Sequence, residues 1–86
     1  MELNCNSIVV NRRGDVGAVA CIIGKPHIVV YKTYTQQISA FDKDGKHKNT
    51  NYDIIDVYNG EKIDNPTDIF KKGFSVEGLE LLHHGK

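Results

Sequence analysis

The segment spanning residues 7–34 constrains the fold of this chain more than any other part of its sequence. Three apolar stretches within it are at residues 8–10, 16–23 and 28–31. The turn signals Arg13-Gly14-Asp15 and Gly24-Lys25-Pro26 separate these stretches. Strands that are joined by such short loops pair with each other as an antiparallel meander. The pattern therefore predicts three antiparallel strands, at residues 6–12, 16–23 and 27–34.

The second predicted strand is apolar on both of its faces. One face would carry Val16, Ala18, Ala20 and Ile22. The other face would carry Val19, Cys21 and Ile23. A strand of this kind lies in the centre of a sheet and is covered on both sides.

The remaining sequence predicts two further strands and one short helix. The two strands are expected at residues 36–41 and 52–58. One face of the later strand would carry Tyr52, Ile54, Asp56 and Tyr58. The helix, at about residues 66–72, would have Asn65 as its N-cap, Pro66 as its first residue and Gly73 as its C-cap. Residues 79–84 fit either a last strand or a helical turn, because Gly78 weakens the helical pattern.

These elements together predict a mainly β fold. The chain has 86 residues, which predicts a single domain spanning residues 1–86. The expected architecture is a small, strongly bent antiparallel β-barrel of about five strands, with one short helix near the C-terminus.

The charge of the chain is balanced but unevenly distributed. The formal net charge is zero, which argues against a pure polyanion binder. Residues 1–48 carry seven basic and four acidic side chains, whereas residues 49–86 carry four basic and seven acidic ones. This asymmetry fits ordinary solvated charge. It also fits a basic patch for a phosphate-bearing ligand, with an acidic half that meets a neighbouring subunit.

The two cysteines, Cys5 and Cys21, are too few for a disulfide scaffold. Because Cys21 lies in an apolar strand, we expect a buried thiol there. A Cys21 nucleophile with His27 across the following turn is conceivable, but a structural cysteine is the simpler interpretation. The sequence has neither a signal peptide nor an apolar run of membrane-spanning length, so a cytoplasmic protein is expected.

No short motif in the chain predicts catalysis or a metal site. Asp42-Lys43-Asp44-Gly45 has its glycine too early for an EF-hand and is interpreted as a turn. Arg13-Gly14-Asp15 is also interpreted as a turn, with a positive φ at Gly14 and Asp15 as the cap. His83-His84 has no third ligand at a suitable spacing. The chain is therefore not expected to be an enzyme or to hold a cofactor.

Basic and aromatic side chains near turns and strand ends form the candidate ligand site. Guanidinium groups among aromatic planes can stack a base and hold a phosphate. The candidate residues are Arg12, Arg13, Lys32, Tyr34, Phe41 and Tyr58. The alternative interpretation is surface charge with half-buried aromatic rings, because no spacing among these residues is diagnostic.

Two parts of the sequence resemble known proteins. Ser7-Ile-Val-Val-Asn-Arg-Arg-Gly-Asp-Val-Gly-Ala-Val-Ala resembles the first hairpin of SH3-like small β-barrels. Tyr52-Asp-Ile-Ile-Asp-Val-Tyr, together with Leu79-Glu-Leu-Leu, is similar to small unannotated proteins of phages and prophages of Gram-positive bacteria. This resemblance implies an SH3-like fold and a phage setting, in which small proteins often counter host defences.

The resemblance and the candidate site together suggest a non-catalytic, phage-encoded binding protein. Its expected role is to antagonise a bacterial defence system by sequestering a nucleotide-derived signalling molecule. One alternative is a direct protein inhibitor of a defence protein, and another is a nucleic-acid-binding barrel. The expected location is the cytoplasm of the host cell.

Self-association is the last expectation from the sequence. A short chain with a central strand that is apolar on both faces has difficulty covering both of them. We therefore expect a homo-oligomer in which Ile54, Val57, Ile69 and Phe70 are shared between core and interface. The rival outcome is a monomer in which the segment 66–72 covers the second face alone.

Overall fold

A computed structural model describes residues 3–85 of the chain. The described part forms one six-stranded antiparallel sheet. The strands are β1 (Ile8–Asn11), β2 (Val16–Ala20), β3 (Ile28–Tyr31), β4 (Thr35–Gln37), β5 (Ile54–Tyr58) and β6 (Leu81–His84). Their order across the sheet is β4-β3-β2-β1-β5-β6. Three short 3₁₀ helices span Ile38–Ala40, Thr50–Tyr52 and Pro66–Phe70.

The predicted mainly β, antiparallel architecture is confirmed, and the predicted barrel is not. β1, β2 and β3 form the expected meander, and β2 lies inside the sheet. β4 and β6 are the two edges of the sheet, so the sheet is not closed. The structure has six strands where the sequence predicted about five, because residues 81–84 pair with β5 as a strand.

Two apolar cores lie on the two faces of this sheet. The first core contains Val9, Val19, Val29, Tyr31, Ile54 and Val57. It is covered by the N-terminal segment and by the connection between β4 and β5, through Leu3, Ile38 and Phe41. The second core contains Ile8, Ala18 and Ile69, and it is covered by the connection between β5 and β6. The prediction that the second strand is apolar on both faces is therefore confirmed.

The interface predicted from the sequence is wrong. Ile54, Val57 and Ile69 are only 2%, 0% and 5% exposed, because the chain covers both faces of its own sheet. Phe70 is half-buried against the second core. These side chains are therefore core residues of a single chain, and the homo-oligomer stays a prediction without this support.

Several strands are shorter than predicted, because a turn or a 3₁₀ helix takes the place of a predicted strand end. β2 ends at Ala20 rather than at residue 23, since the backbone N–H of Lys25 donates to the carbonyl of Ile22 at 3.0 Å. The side chains of Ile22 and Ile23 are consequently 49% and 103% exposed. The fourth strand ends at Gln37 because a 3₁₀ helix follows it directly.

A β-bulge changes the side-chain pattern of β5. Val57 pairs with Val9 and Ile54 pairs with Asn11, so Ile55 is the extra residue between them. A bulge places two residues opposite one and shifts the alternation of faces. Ile54 therefore joins Val57 in the first core, and its predicted position on the same face as Tyr58 is wrong.

The segment that covers the second core folds as the sequence predicts in outline. Asn65 is the N-cap, with its side chain accepting a hydrogen bond from the backbone N–H of Thr67 at 3.1 Å. Pro66 follows at the start of the helix. The element is a 3₁₀ helix of five residues that ends at Phe70, shorter than the predicted 66–72. Its C-cap is Lys71, so the predicted C-cap at Gly73 is wrong.

The two cysteines form a disulfide, which corrects the expectation of a buried thiol at Cys21. Cys5 and Cys21 have Cα atoms 5.6 Å apart. Ile8 is opposite Ala18 in the β1–β2 pair, and extending that register past the strand end places Cys5 opposite Cys21. The backbone N–H of Asn6 donates to the carbonyl of Val19 at 3.0 Å, which holds this extension together. Disulfides are rare in the cytoplasm, so this bond weighs against the expected location.

Candidate functional site

The turn between β1 and β2 places charged side chains at one end of the sheet. The backbone N–H of Gly14 donates to the carbonyl of Asn11 at 2.9 Å, and Gly14 has a φ of +89°. The side chain of Asn11 accepts a hydrogen bond from the backbone N–H of Asp15 at 3.0 Å. The predicted turn is therefore confirmed, although Asn11 rather than Asp15 is its side-chain cap. Arg13 and Asp15 consequently lie on the same side of the turn, 3.6 Å apart.

Five rings lie beside this turn in a continuous series, which we call the aromatic row. Its members are Tyr31, Tyr34, Tyr52, His47 and Phe41, in spatial order. Tyr31 and Tyr34 are stacked with their centroids 4.6 Å apart. The next three contacts are edge-to-face, with centroids 5.7, 5.4 and 5.2 Å apart. Stacked and edge-to-face contacts between aromatic rings are stabilising, so they hold the rings of the row in fixed positions.

Arg13 lies over two rings of the aromatic row. Its guanidinium carbon is 6.0 Å from the ring centre of Tyr34 and 5.4 Å from that of Tyr52. Nη1 of Arg13 also donates a hydrogen bond to the hydroxyl of Tyr52 at 3.1 Å. This hydrogen bond, with the nearby Asp15 carboxylate, raises the pKa of Arg13. The cation is thus held above a flat apolar surface, which is the geometry of a cation–π contact.

The hydroxyl of Tyr34 links the aromatic row to the turn. It donates to the carboxylate of Asp15 and accepts from Nδ2 of Asn11 at 3.1 Å. Partial burial and the hydrogen bond to Asp15 raise the pKa of Tyr34. Burial also raises the pKa of Tyr31, whose side chain is 3% exposed. Both rings are therefore neutral phenols at physiological pH.

A cleft of about 230 Å³ opens next to Tyr34. It lies between the β1–β2 turn, the β3–β4 connection and the 3₁₀ helix Pro66–Phe70. The lining residues include Asp15, Lys32, Thr33, Tyr34, Ile69 and Phe70. This volume is below the range of roughly 300–1,000 Å³ that drug-sized ligands occupy. The cleft therefore suits one portion of a ligand, such as a phosphate or a sugar, rather than a whole dinucleotide.

The guanidinium group of Arg12 binds Thr50 and Asp53. Its Nε donates to the carbonyl of Thr50 at 3.2 Å, and its Nη2 lies 3.4 Å from the carboxylate of Asp53. Asp53 is 5% exposed and also accepts a hydrogen bond from the backbone N–H of His47 at 2.8 Å. A buried carboxylate is costly unless it is paired. Arg12 therefore stabilises the connection that carries Tyr52 and His47.

The six candidate residues do not form one cluster. Arg13 and Tyr34 are in contact, and Lys32 lines the same cleft as Tyr34. Phe41 is at the far end of the aromatic row, and Arg12 is engaged with Asp53.

Tyr58 lies on the other face of the sheet from the aromatic row. It packs against the core of Ile8, Ala18 and Ile69. The sequence prediction did not include Tyr52, His47 and Asp15, which the structure places in the row or beside it.

The interpretation of residues 42–45 as a turn is confirmed. Oδ1 of Asp42 accepts hydrogen bonds from the backbone N–H groups of Asp44 at 2.8 Å and Lys46 at 3.0 Å. These bonds lower the pKa of Asp42. Gly45 has a φ of +80°, which a glycine adopts without strain. The turn reverses the chain, so that Phe41 and His47 form an antiparallel β-bridge. Both residues are members of the aromatic row.

Comparisons with known protein families, with curated proteins and with solved structures found no match to this chain. Within residues 3–85, no helix has the length and apolarity needed to cross a membrane.

Proposed function

We propose that this chain is a non-catalytic binding protein whose ligand is a small molecule with an aromatic ring and a phosphate, of the nucleotide class. The observation that supports this most directly is the Arg13 guanidinium over the rings of Tyr34 and Tyr52. Planar bases stack on such surfaces, and a guanidinium binds phosphate oxygens through paired donors.

The charges around the aromatic row favour an anionic ligand. Lys32 is exposed and lines the cleft next to Tyr34. A phosphate in the cleft can therefore contact Lys32, and Arg13, which lies over the neighbouring ring of Tyr34, is the second cation nearby. Asp15 is bonded to Tyr34 and lies near Arg13, so its charge is already compensated within the site.

The cellular role that we propose follows from the resemblance to phage and prophage proteins. The chain would bind a nucleotide-derived signal of a bacterial defence system and withhold it from its receptor. A nucleic-acid-binding role is less well supported, because Arg12 pairs with the buried Asp53 and the formal net charge of the chain is zero. Binding to a nucleic-acid backbone needs several cations that face the phosphates.

Titration calorimetry against cyclic nucleotides and ADP-ribose derivatives tests this proposal. We expect at least one of them to bind, and Arg13→Gln to weaken that binding by about tenfold or more, as for arginines at binding hot spots. Lys32→Gln should lower the affinity for phosphate-bearing ligands and leave the affinity for the corresponding nucleosides unchanged. Lys25→Gln and Lys62→Gln are matched controls, because both side chains are exposed and neither lines the cleft.

Two outcomes would overturn the proposal. The first is the absence of heat with every compound in the series. If the chain then formed a stable complex with a host defence protein, the direct-inhibitor function would replace it. The second is an equal loss of affinity in the control variants, since that would place the ligand elsewhere. Binding to short DNA or RNA that weakens steeply with salt would favour the nucleic-acid-binding function.

A further inference from the structure

Three potential metal ligands lie in one row at the end of the β1–β2 hairpin opposite its turn. Ala20 is opposite Ile28 in the β2–β3 pair, so the same register places Cys21 opposite His27. The β1–β2 register places Cys5 opposite Cys21. Residues that are directly opposite across antiparallel strands share a face. Cys5, Cys21 and His27 therefore project from neighbouring chain segments towards the same side.

The side-chain atoms of these residues converge. The two sulfur atoms and an imidazole nitrogen of His27 all lie within 4.8 Å of one another. Cys5 and His27 are exposed, and Cys21 is half-buried. The β2–β3 pairing and the hydrogen bond from the backbone N–H of Asn6 to the carbonyl of Val19 do not depend on the disulfide, so they hold the three segments together after reduction as well.

We propose that this cluster is a redox-gated zinc site. In the oxidised chain the Cys5–Cys21 disulfide occupies the sulfur ligands. A dithiol reductant cleaves the disulfide, so that the chain gains two thiols and the reductant becomes a disulfide. The two thiols then release two protons and bind Zn²⁺ as thiolates, while neutral His27 supplies the third ligand and water the fourth.

The geometry of the cluster suits tetrahedral zinc. Zinc–sulfur bonds of about 2.3 Å and zinc–nitrogen bonds of about 2.0 Å place tetrahedral ligand atoms roughly 3.5–3.8 Å apart. The observed limit of 4.8 Å lies close to this separation, so side-chain rotation brings the ligands into place. The Cα atoms of Cys5 and Cys21 are 5.6 Å apart, so the sulfurs can separate without movement of the strands. Thiolate and imidazole are the ligands of most structural zinc sites.

Equilibrium dialysis of the whole chain against Zn²⁺, before and after reduction, tests the proposal. We expect the reduced chain to bind one equivalent of zinc and the oxidised chain to bind none. Cobalt in place of zinc should give a thiolate-to-cobalt charge-transfer absorption in the reduced chain only. His27→Gln should weaken zinc binding by about tenfold or more, as loss of a first ligand exceeds the effect of losing an outer partner.

The control variant is His84→Gln. His84 lies on β6, where its Nδ1 contacts Asp56 at 2.5 Å, and it belongs to the other histidine-rich part of the chain. It should bind zinc as the unchanged chain does. His27 is exposed and its substitution leaves both cysteines in place. Circular dichroism of His27→Gln should therefore show an unaltered sheet.

Three results would overturn the proposal. The first is that the reduced chain binds no zinc, whether or not it stays folded. The second is that His27→Gln binds zinc as tightly as the unchanged chain. The third is that His84→Gln loses zinc binding.

Discussion

Replacing Ile69 by alanine tests whether the chain covers the second face of its own sheet. Ile69 is 5% exposed and is the buried residue of the 3₁₀ helix Pro66–Phe70. It packs with Ile8 and Ala18, which project from the centre of the sheet. Removing its side chain would therefore open the second core.

The expected cost follows from the burial of that side chain. Truncation of a buried isoleucine to alanine costs about 2–5 kcal/mol, depending on how far the site collapses. The covering segment is a single short helix between irregular connections, so it can partly collapse, and we expect about 2–3 kcal/mol. For a domain of this size, each 1 kcal/mol lowers the melting temperature by roughly 4–8 °C.

Urea unfolding followed by circular dichroism measures this loss, and Ile23→Ala is the matched control. Ile23 is fully exposed, with a relative exposure of 103%, so the same substitution there should change the stability by less than about 0.5 kcal/mol. Light scattering on the same samples gives the mass. The reasoning is refuted if Ile69→Ala costs no more than Ile23→Ala. A mass of two chains that falls to one in Ile69→Ala would instead show that a second copy covers this face.

Two further predictions concern the disulfide and a titrating turn. Reduction of Cys5–Cys21, which closes a loop with a sequence separation of 16, should cost about 3 kcal/mol and lower the melting temperature measured by calorimetry. Full stability without the bond would contradict this. The pKa of Asp42 is lowered in the folded chain, so its contribution is present above the unfolded pKa and is lost as the pH falls through the folded value. Asp42→Asn should therefore flatten the acid side of the pH–stability curve.

The sequence predicts the meander because its signals are local. Residues 13–15 and 24–26 are turns, and the apolar runs beside them are strands that pair with their neighbours in the sequence. The same local argument could have found the disulfide. A first turn centred on Arg13 places residues 5 and 21 opposite each other, so register rather than the number of cysteines carries the signal.

The parts that the sequence does not predict depend on pairing between distant segments. β5 pairs with β1, and only this pairing creates the bulge at Ile55 and brings Tyr52 to Arg13. The alternation of residues 52–58 gives no sign of the bulge, because a regular strand and a bulged strand share the same composition. Arg13 and Tyr34 were therefore predictable as site residues, whereas Tyr52 was not.

Part of the uneven charge distribution is paired within the chain. Arg12 belongs to the basic half and Asp53 to the acidic half, and they meet because β1 lies next to β5. Their pairing compensates the charge of the buried Asp53 carboxylate, which would be costly to leave unpaired inside the chain. The charges of Arg12 and Asp53 therefore give no support to self-association.

The two proposed sites should act independently, since they lie at opposite ends of the same strands. Asp15 precedes β2 and Cys21 follows it, so about 20 Å of extended chain separates the β1–β2 turn, which carries Arg13, from Cys21. Changes that share no partners and lie farther apart than about 10 Å add to within about 0.5 kcal/mol. We expect His27→Gln to leave nucleotide binding unchanged and Arg13→Gln to leave zinc binding unchanged, with the double variant showing both losses in full. Calorimetry on the oxidised and the reduced chain measures both ligands. A nucleotide affinity that changes severalfold when zinc binds would contradict this independence. It would show that the two sites are energetically coupled through the sheet.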